Sequence, residues 1–221
     1  MDKLKQLDLH TRIRDRAFLA SSAVGLLMLT LSFCINYFAG TYATESISNQ
    51  VSDLLLDRIP AWDVELLYVQ GAVIMWTVVT MLLLYKPRYF PFFAKSMSLF
   101  ILIRSFFIIL THIAPQHEII PAANFFASKL TFGGDLFFSG HTGGPFLVGL
   151  VFWRNKYARS FFFFLSVIFG TAAILGHKHY SIDVFAAFFI TYSIFRIAQY
   201  LFKTDYELIH KGHTVHGDST A

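Results

Sequence analysis

Hydrophobic residues occur in six long runs separated by polar segments, and this pattern predicts six membrane-spanning helices. The fourth and fifth runs are shorter than the roughly 20 residues that a bilayer requires, so their ends are expected to extend into the adjoining loops. Pro145 falls near the start of the fourth run, where a helix tolerates proline best. The predicted spans lie near Ala17–Ala39, Leu66–Tyr85, Phe92–Ile113, Ser139–Trp153, Ser160–Gly176 and Ile182–Phe202.

The basic residues between these runs are unevenly distributed, and this predicts the orientation of the chain. Most of the 18 Lys and Arg lie in the N-terminal segment, in the second and fourth loops and near the end of the last run. The positive-inside rule therefore predicts that both termini are cytoplasmic. We expect residues 1–16 to form a cytoplasmic segment, 17–203 a membrane domain and 204–221 a cytoplasmic polar tail.

Composition supports an integral membrane protein rather than a soluble one. The chain is 55% hydrophobic and only 14% charged, whereas a soluble domain carries about 25% charged residues. The net charge of +4 is explained by the segregation of basic residues to one side of the membrane, so no nucleic-acid partner is expected.

Two histidine motifs interrupt this apolar chain, and both are predicted to face the periplasm, the exterior or an organelle lumen. In the second motif, His179 and Asp183 are four residues apart at the start of the sixth span, which places them on one face of a helix. A carboxylate in this position can hold the imidazole in one tautomer and leave Nε2 free as a nucleophile. Attack on a phosphodiester would then give a phosphohistidine intermediate.

The first motif supplies the groups that such a reaction needs on the leaving and entering oxygens. His141, at the outer end of the fourth span, can donate a proton to the leaving alcohol and then accept one from the incoming acceptor. Gly140 allows close approach of an oxyanion to the free backbone N–H groups of a helix start. The Ser139 hydroxyl can cap that helix or donate to a phosphoryl oxygen.

Two further charged residues are candidate substrate-binding groups. Arg104 is predicted to lie deep in the third span, where an unpaired charge is costly. It could pair with a carboxylate such as Asp135 for structural reasons, hold the substrate phosphate, or hold an acidic partner near the site. Asp135 could order the external loop or touch the site.

The remaining polar segments suggest less specific roles. The first external segment, Gly40–Glu65, is acidic and is expected to be a solvated loop, with headgroup selection as the alternative. The histidines of the tail, His210, His213 and His216, are expected to belong to a disordered segment rather than a metal site. No metal and no cofactor are expected, and the sequence does not define an oligomeric state.

With these motifs in view, the chain resembles the sphingomyelin synthase family, a branch of the type 2 phosphatidic acid phosphatase superfamily. The resemblance extends from about Val51 to Phe202 and is carried by Gly134–Thr142, by His177–Val184, and by Arg104–Thr111 followed by Pro115. It implies six spans with cytoplasmic termini and a catalytic triad of His141, His179 and Asp183. Where the wider superfamily has a Ser-Arg pair upstream of the nucleophilic histidine, this chain has Ala172-Ala173.

The resemblance implies transfer of phosphocholine or phosphoethanolamine from a glycerophospholipid to ceramide, with release of diacylglycerol. A phospholipid donor and a lipid acceptor are therefore the expected partners. Two alternatives remain open at this point: a lipid phosphate phosphatase that uses the same residues with water as acceptor, and a non-catalytic protein that binds lipid or a partner.

Overall fold

A computed structural model describes residues 16–116 and 135–211, and every regular element in these two stretches is a helix. The helices are α1 Arg16–Glu45, α2 Gly71–Tyr85, α3 Phe90–Ile108, α4 Gly140–Val151, α5 Lys156–Leu175, α6 Ser181–Leu201 and α7 Lys203–Lys211. A π-helical turn, Leu66–Gln70, leads into α2, and a 3-10 turn, Pro87–Tyr89, leads into α3. A second 3-10 turn, Leu56–Arg58, interrupts the α1–α2 loop.

Five helical segments of the described residues are long and apolar enough to cross a membrane. They contain α1, α2, α3, α5 and α6, together with the short turns that precede α2 and α3. Each coincides with a predicted span, with ends displaced by a few residues. The all-helical fold and five of the six predicted membrane-length helices are therefore confirmed.

The predicted fourth span is different, because α4 has only 12 residues. At 1.5 Å per residue it is about 18 Å long, well short of the roughly 30 Å hydrocarbon core. Nine of its residues are buried, since α3, α5 and α6 all pack against it. The helix α4 is thus the central element of the bundle, and the count of six spans stays a prediction.

The third predicted span ends earlier than the sequence pattern indicated. Hydrophobic residues continue to Ile113, but α3 ends at Ile108. The following residues run alongside the α1–α2 loop, where Ser48 N–H donates to the His112 carbonyl at 2.7 Å and Ala114 N–H donates to Asn49 at 3.2 Å. Arg104 consequently lies one turn from the end of α3 rather than deep within a span.

The predicted polar tail also begins with ordered structure, because residues 203–211 form α7. Asp205 on this helix is buried and pairs with Lys95 of α3 at 2.6 Å. Ser21 of α1 joins both side chains, accepting from Lys95 at 2.7 Å and donating to Asp205. These polar contacts hold α7 against the bundle. The hydrophobic pattern alone does not predict this packing. His213 and His216 lie outside the described residues.

Candidate active site

The second histidine motif lies at what we call the site end of the bundle, where α4 and α6 both begin. His179 belongs to the turn before Ser181, the first residue of α6, and Asp183 lies on the helix, so the prediction that both share a helical face is wrong, although the two side chains are close together. Nδ1 of His179 lies 3.6 Å from Oδ2 of Asp183, and both side chains are about 95% buried. This separation exceeds a hydrogen bond, but such contacts commonly shorten when a substrate binds. Oδ2 of Asp183 also accepts from the Tyr180 backbone N–H at 3.0 Å, so the carboxylate is fixed by the backbone of its own helix start.

Small residues of α5 hold the turn that carries His179. The Ala173 carbonyl accepts hydrogen bonds from the backbone N–H groups of Lys178 at 2.9 Å and His179 at 3.4 Å. Ala172 and Ala173 are themselves buried. Their small side chains let the turn pack directly on α5, at the place where the wider superfamily has its Ser-Arg pair.

A backbone hydrogen bond joins the two histidine motifs. The Ser139 N–H donates to the Asp183 carbonyl at 3.1 Å, so the starts of α4 and α6 are held together. The fully buried Ser139 hydroxyl caps α4 by accepting from the Thr142 N–H and from its hydroxyl at 3.1 Å. Of the two roles expected for Ser139, capping is the one that the geometry displays.

His141 lies in the first turn of α4 and is held by a residue that the motifs do not contain. The ring of Tyr68 stacks on its imidazole, with centroids 3.8 Å apart and an interplanar angle of 21°. The imidazole also hydrogen-bonds to the Tyr68 backbone. His179 and Arg104 lie close enough to interact with it electrostatically. Phe169 of α5 meets it edge-on at 6.2 Å. Tyr68 belongs to the π-helical turn before α2, and such turns occur frequently at functional sites.

Arg104 reaches this cluster from α3 and pairs with Asp135. Its Nη1 donates to Oδ2 of Asp135 at 2.9 Å, its Nη2 to the Asp135 carbonyl at 3.2 Å, and its Nε to the Phe138 carbonyl at 2.7 Å. Nη1 also lies 2.6 Å from Oδ1 of Asp135, so both carboxylate oxygens contact the same nitrogen. A Cβ atom on Gly140 would lie 3.4 Å from Nε of Arg104, so glycine leaves room for the guanidinium at the start of α4.

An apolar cavity of about 950 Å³ ends at this cluster. Arg104, Asp135, Gly140 and His141 line its polar end, and side chains of α1, α2 and α3 line the rest as far as Phe90. Arg104 lies 14 positions after Phe90, a separation of about 21 Å along the helix, which exceeds the depth of one leaflet of a roughly 30 Å hydrocarbon core. Since α1 and α3 pack closely together but α2 makes few contacts with either, the cavity lies between α2 and the α1–α3 pair.

His112 lies apart from this cluster. His112 packs edge-on against Tyr42, with ring centroids 5.4 Å apart. His177 is buried beside the turn of His179, and the neighbouring Lys178 forms an exposed ion pair with Glu65 at 3.0 Å. Within 16–116 and 135–211, no three His, Cys, Asp or Glu side chains are grouped so as to hold a metal ion.

Residues 133–200 match the family described as PAP2 superfamily C-terminal. The match includes both histidine motifs, and members of that superfamily are phosphatases or phosphotransferases. It does not distinguish the sphingomyelin synthase branch. No curated protein and no solved structure matches the chain.

Proposed function

We propose that this chain belongs to the type 2 phosphatidic acid phosphatase superfamily and that, as an integral membrane protein, it transfers a phosphorylated headgroup between lipids. The donor is a glycerophospholipid carrying phosphocholine or phosphoethanolamine, and the acceptor is ceramide or a diacylglycerol-like alcohol. The observation that carries the proposal is the apolar cavity of about 950 Å³ that ends at His141 and Arg104. Acyl chains fit the apolar length of this cavity, and the phosphate then lies at its polar end.

The reaction proceeds in two displacements. In the first, Nε2 of His179 attacks phosphorus, the bond from phosphorus to the diacylglycerol oxygen breaks, and His141 donates a proton to that oxygen. In the second, His141 takes the proton of the acceptor hydroxyl, whose oxygen attacks the phosphohistidine and releases His179. Asp183 orients the imidazole of His179 and stabilises its positive charge.

The phosphoryl oxygens require donors that do not move during the reaction. Backbone N–H groups at the start of α4 supply some of them, beside Gly140. The second N–H group on Nη2 of Arg104 supplies another, since one Nη2 bond, to the Asp135 carbonyl, is present. Asp135 holds the guanidinium in place, and Ser139 acts by capping α4.

The proposal is tested with purified protein and phospholipid labelled in its headgroup phosphate, together with ceramide or diacylglycerol. Label is expected in a new lipid and, transiently, on the protein as phosphohistidine. His179→Ala is expected to abolish both, and His141→Ala to slow transfer by about 10²- to 10⁴-fold. His112→Ala is the matched control, since His112 packs on Tyr42 away from the cluster.

Two results would change this conclusion in different ways. Turnover that survives in His179→Ala would refute the phosphohistidine mechanism. Release of inorganic phosphate from labelled phosphatidic acid, without any transfer to a second lipid, would identify a lipid phosphate phosphatase that uses the same residues.

A further inference from the structure

The α1–α2 loop, residues 46–64, contains a buried acidic residue at the site end of the bundle. The sequence predicts a solvated loop here, but Asp53 is only 7% exposed. Asp57 and Asp63, in the same loop, are exposed. Because a carboxylate is rarely buried without partners, the burial of Asp53 alone among these three indicates that it forms specific contacts.

Asp53 divides its two oxygens between its own loop and the start of α6. Oδ1 accepts from the backbone N–H groups of Leu55 at 2.9 Å and Leu56 at 3.1 Å. Oδ2 accepts from the Ser181 N–H at 2.7 Å and from the Ser181 hydroxyl at 2.8 Å. Ser181 is the first residue of α6, so the carboxylate also faces the positive end of the helix dipole.

The charge of Asp53 is stabilised by these contacts. Burial opposes ionisation, but the hydrogen bonds from Ser181, Leu56 and Leu55 outweigh it and lower the pKa of the carboxyl below its ordinary value of 3.8. Asp53 is therefore an anion at neutral pH.

The same loop also forms a hydrogen bond with Tyr180, the residue before Ser181. The Tyr180 hydroxyl accepts from the Val51 N–H at 3.3 Å and donates to the Ala114 carbonyl at 2.7 Å. The loop thus holds both residues that lie between His179 and the rest of α6.

We propose that Asp53 is a positioning residue for the transfer reaction. It touches neither the lipid nor the reacting atoms in this arrangement. By binding Ser181 it fixes the turn that carries His179 and the helix start that carries Asp183, so that the nucleophile keeps its place beside His141. This inference rests on the proposed function, since it assigns Asp53 a role in the rate of that reaction.

The test is the substitution Asp53→Asn, which separates the bonds to Ser181 from the bonds to Leu55 and Leu56. An asparagine keeps a carbonyl oxygen for Leu55 and Leu56, but it presents an NH₂ group to the Ser181 N–H. We expect kcat per active site to fall roughly 10- to 100-fold, as for loss of hydrogen bonds to a charged group, with KM for the lipid donor unchanged. Ser181→Ala removes only the hydroxyl bond and is expected to give a smaller loss, and the double variant should resemble Asp53→Asn alone.

Asp63→Asn is the matched control, because it makes the same chemical change at an exposed position of the same loop. Among the described residues, Asp63 accepts a local bond from the Glu65 N–H at 3.1 Å, so wild-type kcat is expected. Active sites are counted by phosphohistidine labelling, so that a smaller number of folded molecules is not mistaken for a slower reaction. Wild-type kcat per site in Asp53→Asn, or an equal loss in Asp63→Asn, would overturn the assignment.

A second measurement does not depend on turnover and separates this inference from the proposed function. The rate at which diethyl pyrocarbonate modifies His179, followed by mass spectrometry, reports how firmly the turn is held. Asp53→Asn is expected to raise this rate severalfold over Asp63→Asn, whichever reaction the protein catalyses. Equal rates would refute the positioning role even if lipid transfer is confirmed.

Discussion

At the scale of single residues, Arg104 combines a structural contact with a proposed role in the reaction. Its ion pair with Asp135 is largely buried, with the two side chains 11% and 18% exposed. Burying this pair removes both charges from water, and the three hydrogen bonds of the guanidinium offset that cost. The pair therefore explains why an arginine is tolerated in α3, while the position of Arg104 at the end of the cavity supports its proposed role in holding the phosphate.

These two roles are separated by removing first one partner and then both. Arg104→Leu leaves the Asp135 carboxylate buried without its partner and is expected to destabilise the protein by about 3–5 kcal/mol. Adding Asp135→Leu is expected to restore most of the stability, because the uncompensated charge is gone. Transfer should stay reduced by about 10²- to 10³-fold, as for loss of a donor to the transition state.

Thermal unfolding and the lipid transfer assay provide the two readouts. Recovery of both stability and transfer in the double variant would show that Arg104 serves the fold alone. The single variant Asp135→Leu tests the positioning of the guanidinium, and its transfer rate should fall between those of the wild type and the double variant.

The residues of the candidate site differ in how readily the sequence predicts them. His141, His179 and Asp183 are visible because they lie within two short motifs whose spacing already implies their chemistry. Tyr68 and Asp53 are not visible, because each lies on a separate element and meets its motif only after the chain folds. A tyrosine in a hydrophobic run and an aspartate in an acidic loop carry no local signal of those contacts.

At the scale of elements, α4 packs so closely against its neighbours that the room for a side chain differs from one of its glycines to the next. A Cβ atom on Gly143 would lie 2.6 Å from Oγ1 of Thr191 and 2.7 Å from the ring of Phe100. A Cβ atom on Gly144 would approach only the ring of Trp76, at 3.3 Å, and that tryptophan is partly exposed. Neighbouring positions of one helix thus face a tight interface and a cavity wall.

This difference predicts opposite outcomes for the same substitution at adjacent positions. Gly143→Ala is expected to destabilise the protein by about 1–3 kcal/mol, because α3 or α6 must move to admit a methyl group. Gly144→Ala is expected to retain stability near that of the wild type, since the Trp76 ring can yield. Thermal unfolding in detergent measures both, and equal destabilisation would contradict the packing described for α4.

The hydrophobic runs define the long helices well, since a bilayer-length apolar segment leaves few alternatives. Their ends are less predictable, because partners elsewhere in the chain decide them. The helix α3 ends early because residues 112–114 bond to the α1–α2 loop, and α7 forms where Asp205 meets Lys95. Both contacts join residues that are distant in sequence.

At the scale of the whole molecule, the distribution of basic residues predicts which face of the membrane each loop occupies. We expect the α1–α2 loop to be external and the α4–α5 turn, residues 152–155, to be cytoplasmic. The test uses Cys34→Ala to remove the single cysteine, followed by Asp63→Cys or Arg154→Cys, since both positions are exposed. A membrane-impermeant maleimide applied to intact cells should label the variant at position 63 and spare the one at position 154 until the membrane is opened. The reverse pattern would place the site on the cytoplasmic face.

The hydrogen bond from the Ser139 N–H to the Asp183 carbonyl has a consequence for how this site can change over generations. Because both of its atoms belong to the main chain, the bond does not depend on which side chains occupy those positions. Mutational drift around the two motifs can therefore alter the shape and chemistry of the pocket without separating His141 from His179. A library that randomises Phe137, Phe138 and Ile182 should consequently retain more active members than one that inserts or deletes a single residue beside Ser139.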